Sequence, residues 1–529
     1  MLDVLEEGAR HGGSLTFVTR SGEDRRTYKE IVDEARALGA GLRARGVSSG
    51  TRVGLLAAPT MEFALALLAT IEAGACGVLL PQSRGIGSDW VEQIRVLLRV
   101  ASVDVTVGPH LPVAGKDHID LSTLDMGGGA DPSIEDGEGM VLFTSGTTGD
   151  PRGVVLSRDR MVARVAADAA IPEVDPREDL SFSWRDLSTS GGIFLGLIVP
   201  MATGASACVM ETNLFSRAPE RWLIEISKRR ATISVGPNFA YGAVARRLAA
   251  GFSEPLNLSF WRHAYCVGER VDIAAIERFI GLTAPFGFEP SAFAPRYAMT
   301  EAGIVSVAAP GTGLRVCEVD IEDLGHGIAR PARTKRSSVR TVSSGVVRKE
   351  VSLEILDSEG SPLGDRRVGE VMVRTPWLAI GYLGNPEETS IRFANGWFRT
   401  GDIGYIDDDE LYITGRSKNV IIVGGRNFNG DDLERALQDV EGVEPSSVAV
   451  LGRPSRSTEE IVVFAETSAD ESEHRNISES IRQKLWGDFA LVTKDVLLSG
   501  PGSLPRTSVG KLRREALRAS LMKDDGPGP

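Results

Sequence analysis

The chain has 529 residues, more than one ordinary domain holds, and 42% of them are apolar, which excludes a disordered chain. A net charge of -13 leaves no general basic face and excludes nucleic acid as a general partner. Cys76, Cys208, Cys266 and Cys317 are widely separated, with no C-x-x-C, which excludes a disulfide framework and a clustered zinc site.

Residues 1–13 are charged and lack the apolar core of a signal peptide. Residues 28–45 read as an amphipathic helix, with Ile31, Ala35, Leu38 and Leu42 on one stripe and Gly46 as its stop. A strand at 53–57, a helix at 61–73 and a strand at 77–80 follow. Strands alternating with helices predict a parallel sheet covered on both faces.

Two apolar runs, 140–143 and 154–156, flank the stretch TSGTTGDPRG at 144–153. A turn so rich in glycine and hydroxyls can converge backbone N–H groups on a phosphate. Thr144, Ser145, Thr147 and Thr148 add hydroxyl donors, and Arg152 adds a charge. The spacing is not that of the ordinary nucleotide P-loop. Turns of the same composition are also common on protein surfaces.

A helix is expected at 159–170. Residues 191–210 are apolar but contain Gly191, Gly192, Gly196, Pro200 and Gly204, which fits a buried helix and then a strand better than a membrane span. No stable membrane insertion and a cytoplasmic location are therefore expected. A helix at 219–230 and a strand at 232–235 lead into GPNFAY at 236–241. That break places Asn238, Phe239 and Ala240 at the carboxyl edge of a sheet, where ligands sit in open α/β folds. Gly268 and Glu269 stand at a further strand-to-turn junction.

In PRYAMTEAG, 295–303, one short turn is read as offering the ring of Tyr297, the hydroxyl of Thr300 and the carboxylate of Glu301. These types suit a purine, a phosphate and a divalent cation. Residues 311–342 read as a polar, irregular surface segment with a basic cluster (Arg330, Arg333, Lys335, Arg336). Short alternating strands from 351 mark a β-rich part. In WFRTGDIGYIDDDELYITG, 397–415, Asp402 is read in a tight turn where it could bond two ribose hydroxyls, and Asp407, Asp408 and Asp409 read as a hairpin turn. From Arg416 the pattern predicts a small α+β unit ending in LPRTSVGKLRREA, 504–516, with a disordered tail from Asp524.

Taken together, TSGTTGDPRG, YAMTE, GWFRTGD, Gly415-Arg416 and LPRTSVGK resemble, in order, the signatures of the adenylate-forming superfamily of acyl-CoA synthetases, luciferases and adenylation domains. GPNFAY, APFGFEPSAFAPRY at 284–297 and GGRNFNGDDLE at 424–434 resemble fatty acyl-AMP ligases more closely. Residues 314–332 resemble a remnant of their insertion.

The resemblance implies a large N-terminal domain (1–415) of parallel sheets plus a β-rich subdomain, and a small mobile C-terminal α+β domain (416–529) hinged near Lys418. It implies that Thr144, Ser145, Gly146, Thr147, Thr148 and Gly149 hold the ATP phosphates. Tyr297 would pack on adenine beside Gly268 and Glu269, and Asp402 and Arg416 would hold the ribose. Thr300 would contact the α-phosphate, Glu301 would bind Mg2+, and Lys511 would reach the carboxylate and α-phosphate. Asn238, Phe239, Ala240, Thr189 and Ser190 would line the acyl pocket.

The implied function is ATP-dependent formation of an acyl-adenylate from a carboxylic acid. The acyl group would then pass to a phosphopantetheine thiol on an acyl carrier protein or on CoA. Departures from the pattern are Arg152 for lysine, Ala298 after Tyr297, Asn419 for aspartate, and Thr189-Ser190 where related ligases carry His-Asp. That last change keeps open an enzyme that performs only thioester formation from a preformed acyl-adenylate, and a silent nucleotide- or acyl-binding protein is a second alternative of another class. Lys511 argues against the first, and Lys511, Glu301 and Asp402 together argue against the second.

Overall fold

The computed structural model describes residues 1–529 apart from 83–87, 110, 112–116, 126–136, 145–151, 172–173, 335–337, 425, 445–446, 456–458, 507–511 and 525–529. The smaller of two large sheets runs Gly381–Tyr382, Arg152–Ser157, Glu138–Thr144, Cys76–Leu80, Arg52–Leu56, Val105–Val107, Asp117–Ile119. Cys76–Leu80 lies parallel to Arg52–Leu56 and to Glu138–Thr144, whereas Glu138–Thr144 turns back antiparallel into Arg152–Ser157. The two apolar runs around TSGTTGDPRG therefore form a hairpin, as read from the sequence.

Inside an antiparallel edge strand, Gly22–Thr27, the larger sheet is parallel. Ser14–Thr19, Ser206–Met210, Leu180–Ser183, Ile233–Gly236, His263–Cys266 and Phe293–Met299 lie side by side in that order. Their carboxyl ends share one edge. At Phe293–Met299 the sheet changes sense. Its first residues pair parallel with His263–Cys266, and its last pair antiparallel with Gly303–Val307. From there an antiparallel part continues through Ser338–Val347, Glu410–Arg416, Trp397–Asp407, Gly369–Arg374 and Ser352–Leu356.

Helices fill the space between the sheets. Every residue of Met61–Glu72 except Glu62 and Glu72 is buried, because this helix is covered on all sides. Tyr28–Ala44 packs beside it and buries Ile31, Ala35, Leu38 and Leu42, the predicted stripe. One core joins Leu15 and Phe17 of the larger sheet to Val53, Leu55 and Leu142 of the smaller. On the opposite face of the larger sheet, Trp222, Tyr241, Trp261 and Phe279 pack edge to face. Such pairs add roughly 1 kcal/mol each beyond their area.

After Arg416, Val448–Pro454, Glu459–Glu466 and Thr493–Ser499 form a separate three-stranded sheet. Gly430–Leu437 and His474–Phe489 share one core with it. Arg514–Asp524 supplies Leu517 and Leu521 to another. Among the described residues no helix is long and apolar enough to cross a membrane.

Four sequence expectations are corrected. Residues 311–342 are not irregular throughout: Val316–Asp320 pairs residue for residue with Val342 back to Ser338. Glycines and charges in that segment mask a short β-branched alternation. Tyr297 lies on a strand, and the turn holds Thr300 and Glu301 without it. Asp402 sits within the strand Trp397–Asp407, directly opposite Arg416, rather than in a turn. The chain stays helical beyond residue 516, and Arg514 pairs with Asp431 (2.7 Å) and Glu434 (2.5 Å). Lys335, Arg336 and residues 525–529 of the tail lie outside the described residues.

His263 yields a pH prediction. It is 7% exposed, its Nε2 lacks a hydrogen-bond partner, and burial holds its imidazole at about 4, below the ordinary 6.5. The folded value lies below the unfolded one, so its contribution is intact above pH 6.5 and is lost as pH falls toward 4. The loss should reach about 3 kcal/mol. Urea unfolding across that window should show His263→Gln to be less acid-sensitive than the native chain; equal pH dependence in both would contradict this.

Candidate active site

The site is built on the strand where the larger sheet changes sense. The hydroxyl of Tyr297 donates to Asp402 Oδ2 at 2.5 Å. Nε of Arg416 lies 2.7 Å from Asp402 Oδ1. Asp402 is 5% exposed, and the Thr400 hydroxyl accepts from its backbone N–H at 3.0 Å. Burial pushes the Asp402 carboxyl up, and the Arg416 guanidinium opposes that shift. Both oxygens are anchored, and each keeps a further lone pair for a ligand hydroxyl.

The turn that follows is clamped along its backbone. Nη1 of Arg164 donates to the Thr300 carbonyl at 3.4 Å, the Ala379 N–H to the Glu301 carbonyl at 2.8 Å, and Trp377 Nε1 to the Ala302 carbonyl at 2.8 Å. Gly303 closes the turn at φ +67, where a Cβ would come within 2.8 Å of Trp377 Nε1. With the backbone held, the Glu301 side chain is fixed. Its Oε1 accepts from the Tyr382 hydroxyl at 2.9 Å, and burial raises its carboxyl pKa.

Among the described residues no lysine or arginine pairs with Glu301. A buried carboxylate without a cation fits a magnesium ion, which usually takes one or two protein carboxylates and leaves its other positions to phosphates and water.

Arg164, 3% exposed, ties this turn to the predicted acyl wall. Its Nη2 donates to Ser190 Oγ at 2.8 Å, its Nε faces Asp168 Oδ2 at 3.5 Å, and the Phe194 ring lies 3.9 Å beneath its guanidinium carbon. Asp168 Oδ1 also accepts from Arg348 Nη1 at 2.8 Å. Ser190 therefore faces a buried cation. Thr189 caps the helix Ser190–Ile193, accepting from the Gly192 N–H at 3.1 Å. A π-helical turn, Phe194–Ile198, follows.

The other predicted residues take different places. Glu269 Oε1 accepts from the Phe239 N–H at 2.6 Å, so the Gly268-Glu269 junction and the start of the helix Asn238–Ala249 meet. Asn238 accepts from the Asp272 N–H at 2.9 Å, Ala240 is fully buried in the aromatic core, and Phe239 is 53% exposed. Phe239 stands edge-on to Trp184, which stacks on Phe215 at 3.6 Å.

Thr144 pairs opposite Arg152 at the base of the glycine-rich loop. Arg152 is paired with Glu388 at 3.0 Å and lies 5.7 Å from the Tyr382 ring centre. Ser145, Gly146, Thr147, Thr148, Gly149, Gly425 and Lys511 lie outside the described residues.

The family model for AMP-binding enzymes matches residues 5–383. The chain belongs to the AMP-binding enzyme family. This ligase is 31% identical to a putative acyl-CoA synthetase of Caulobacter vibrioides, covering 94% of this chain and 90% of that one. It is 30% identical to the long-chain-fatty-acid–AMP ligase FadD26 of Mycobacterium marinum, over 93% and 90% of the two chains. A solved structure from studies of fatty acyl-adenylate ligases of E. coli and L. pneumophila superposes with a TM-score of 0.87 at 27% identity, covering 99% and 98%. The chain is thus an adenylate-forming ligase, as the ordered motifs implied, and its resemblance to fatty acyl-AMP ligases is borne out.

The motifs did not reveal Arg164, Asp168, Arg348 or Tyr382. The Arg164/Asp168 spacing of four on a helix was the only available signal, and it is common on exposed helices.

Asp168→Asn should leave Arg164 without a carboxylate in contact and Arg348 with only the partly exposed Glu350 at 3.5 Å. A loss of about 3–5 kcal/mol is expected in urea unfolding; a loss under about 1 kcal/mol would show that the pair does not need it.

Proposed function

We propose that this ligase activates a carboxylic acid at the carboxyl edge of its parallel sheet and then passes the acyl group to a phosphopantetheine thiol. The observation that carries this reading is the Tyr297–Asp402–Arg416 constellation beside the clamped Glu301 turn. Tyr297 packs against adenine next to Gly268, and Asp402 and Arg416 take the ribose. Thr144 to Gly149 cradle the phosphates, and the Thr300 hydroxyl meets the α-phosphate. Glu301 holds magnesium, which supplies charge neutralisation between the two reacting anions.

A carboxylate oxygen of the acid attacks the α-phosphorus. The bond to the bridging oxygen breaks, and pyrophosphate leaves with the electron pair. Lys511 stabilises the charge developing between carboxylate and phosphate. It is carried by the unit 416–529, which turns about Lys418 so that a thiolate can attack the acyl carbonyl and release AMP. Fatty or fatty-like acids are the favoured class, given the relative named as a fatty-acid–AMP ligase.

A second reading, thioester formation alone, draws on Ser190. The resemblance puts an aspartate there, and here the hydroxyl faces Arg164.

Mass spectrometry of the protein with ATP, magnesium and a panel of fatty and aryl acids separates the readings. Acyl-AMP should form, and adding CoA or a phosphopantetheinylated carrier protein identifies the acceptor. Product only from a supplied acyl-adenylate would support the second reading. Lys511→Ala should slow acyl-AMP formation by about a hundred- to a thousandfold, with a much smaller effect on thioester formation from supplied acyl-adenylate. Equal loss in both steps would remove Lys511 from adenylation.

A further inference from the structure

Arg185 follows the strand Leu180–Ser183 at the same carboxyl edge. Its guanidinium lies between two parts of the site. A Cβ at Gly191, at the start of the acyl-wall helix, would fall 2.7 Å from its Cζ, and a Cβ at Gly268 would fall 3.8 Å from its Nη2. The side chain thus reaches from the acyl wall, across the end of Ile233–Gly236, to the loop after His263–Cys266. The absence of a side chain at Gly191 leaves it this room.

The guanidinium is under-satisfied. Nη1 is buried and has no hydrogen-bond partner, and among the described residues no carboxylate lies within ion-pair distance. Native folds rarely leave such a donor unmet, and arginine cannot relieve the cost by losing its proton. Glu269 and Asp186 lie close enough to favour the charged form, while burial opposes it. The charge therefore has partial compensation at a distance, and what the group lacks is an acceptor in contact. A neutral oxygen meets that need, whereas a second carboxylate would also face Glu269 and Asp186.

We propose that Arg185 is a specificity residue: it donates to a carbonyl or hydroxyl oxygen carried on the acyl chain close to the activated carboxyl group. The proposal rests on the ligase reading above, in which the acyl chain lies along the Ser190 wall and Gly268 flanks the adenine seat, so that Arg185 stands where the acyl chain meets the nucleotide. An acid without that oxygen leaves the donor unmet in the closed site, and sites built around a hydrogen bond reject such analogues strongly.

The test is acyl-AMP formation from matched acids, octanoic and phenylpropanoic, each against its α-oxo and β-hydroxy derivatives. The native enzyme should favour at least one oxygenated member by about a hundredfold in kcat/KM. Arg185→Leu should collapse that ratio toward one, and Arg185→Lys, which keeps a donor, should retain part of it. No preference in the native enzyme, or a ratio unmoved by Arg185→Leu, would overturn the proposal. A loss shared equally by both members of every pair would make Arg185 a general adenylation residue and overturn it too. No acyl-AMP from any acid, with the chain folded by circular dichroism, would defeat the ligase reading itself and this proposal with it.

Discussion

A single strand has to serve two kinds of sheet. Phe293–Met299 takes parallel neighbours on one side and antiparallel ones on the other, and its register with Gly303–Val307 shifts between Tyr297 and Ala298. A slip of one residue would turn Tyr297 to the opposite face, away from Asp402. The same register sets where the Thr300-Glu301 turn emerges. The candidate nucleotide seat is therefore a consequence of how one sheet hands over to the next.

Burial makes that arrangement rigid at an electrostatic cost. Burial disfavours the charged forms of Asp402 and Glu301, and Asp168 is buried between two arginines. Asp402 and Asp168 are offset by arginines at contact distance, and among the described residues Glu301 is not. That contrast is chemically useful. The paired acids hold the scaffold, and the unpaired one is the carboxylate proposed above to take magnesium. Arg152, Tyr382 and Glu301 are near neighbours in turn, so the base of the glycine-rich loop lies close to the Glu301 carboxylate.

What was legible in the sequence was local. The apolar runs at 140–143 and 154–156 announced a hairpin because both strands lie beside their own turn. Asp402 and Arg416 could be proposed together because each falls in a short stretch that carries the resemblance, GWFRTGD and Gly415-Arg416. Arg164 and Thr300 are 136 positions apart, and Tyr382 and Glu301 are 81 apart. No periodicity connects such residues, so the clamp on the turn was invisible. Asn238 and Ala240 were legible as belonging to a sheet edge, but their direction was not. Position on a helix start does not reveal that one side chain caps Asp272 while another enters an aromatic core.

The most direct test of this account is calorimetric titration of AMP into the native protein and into Asp402→Ala. If the strand handover builds the nucleotide seat, AMP binds the native chain, and the substitution weakens binding by about ten- to a hundredfold while thermal unfolding shows that the variant is folded. Equal affinity in the two proteins would contradict the account, because the Tyr297–Asp402–Arg416 constellation would then have no part in holding the nucleotide.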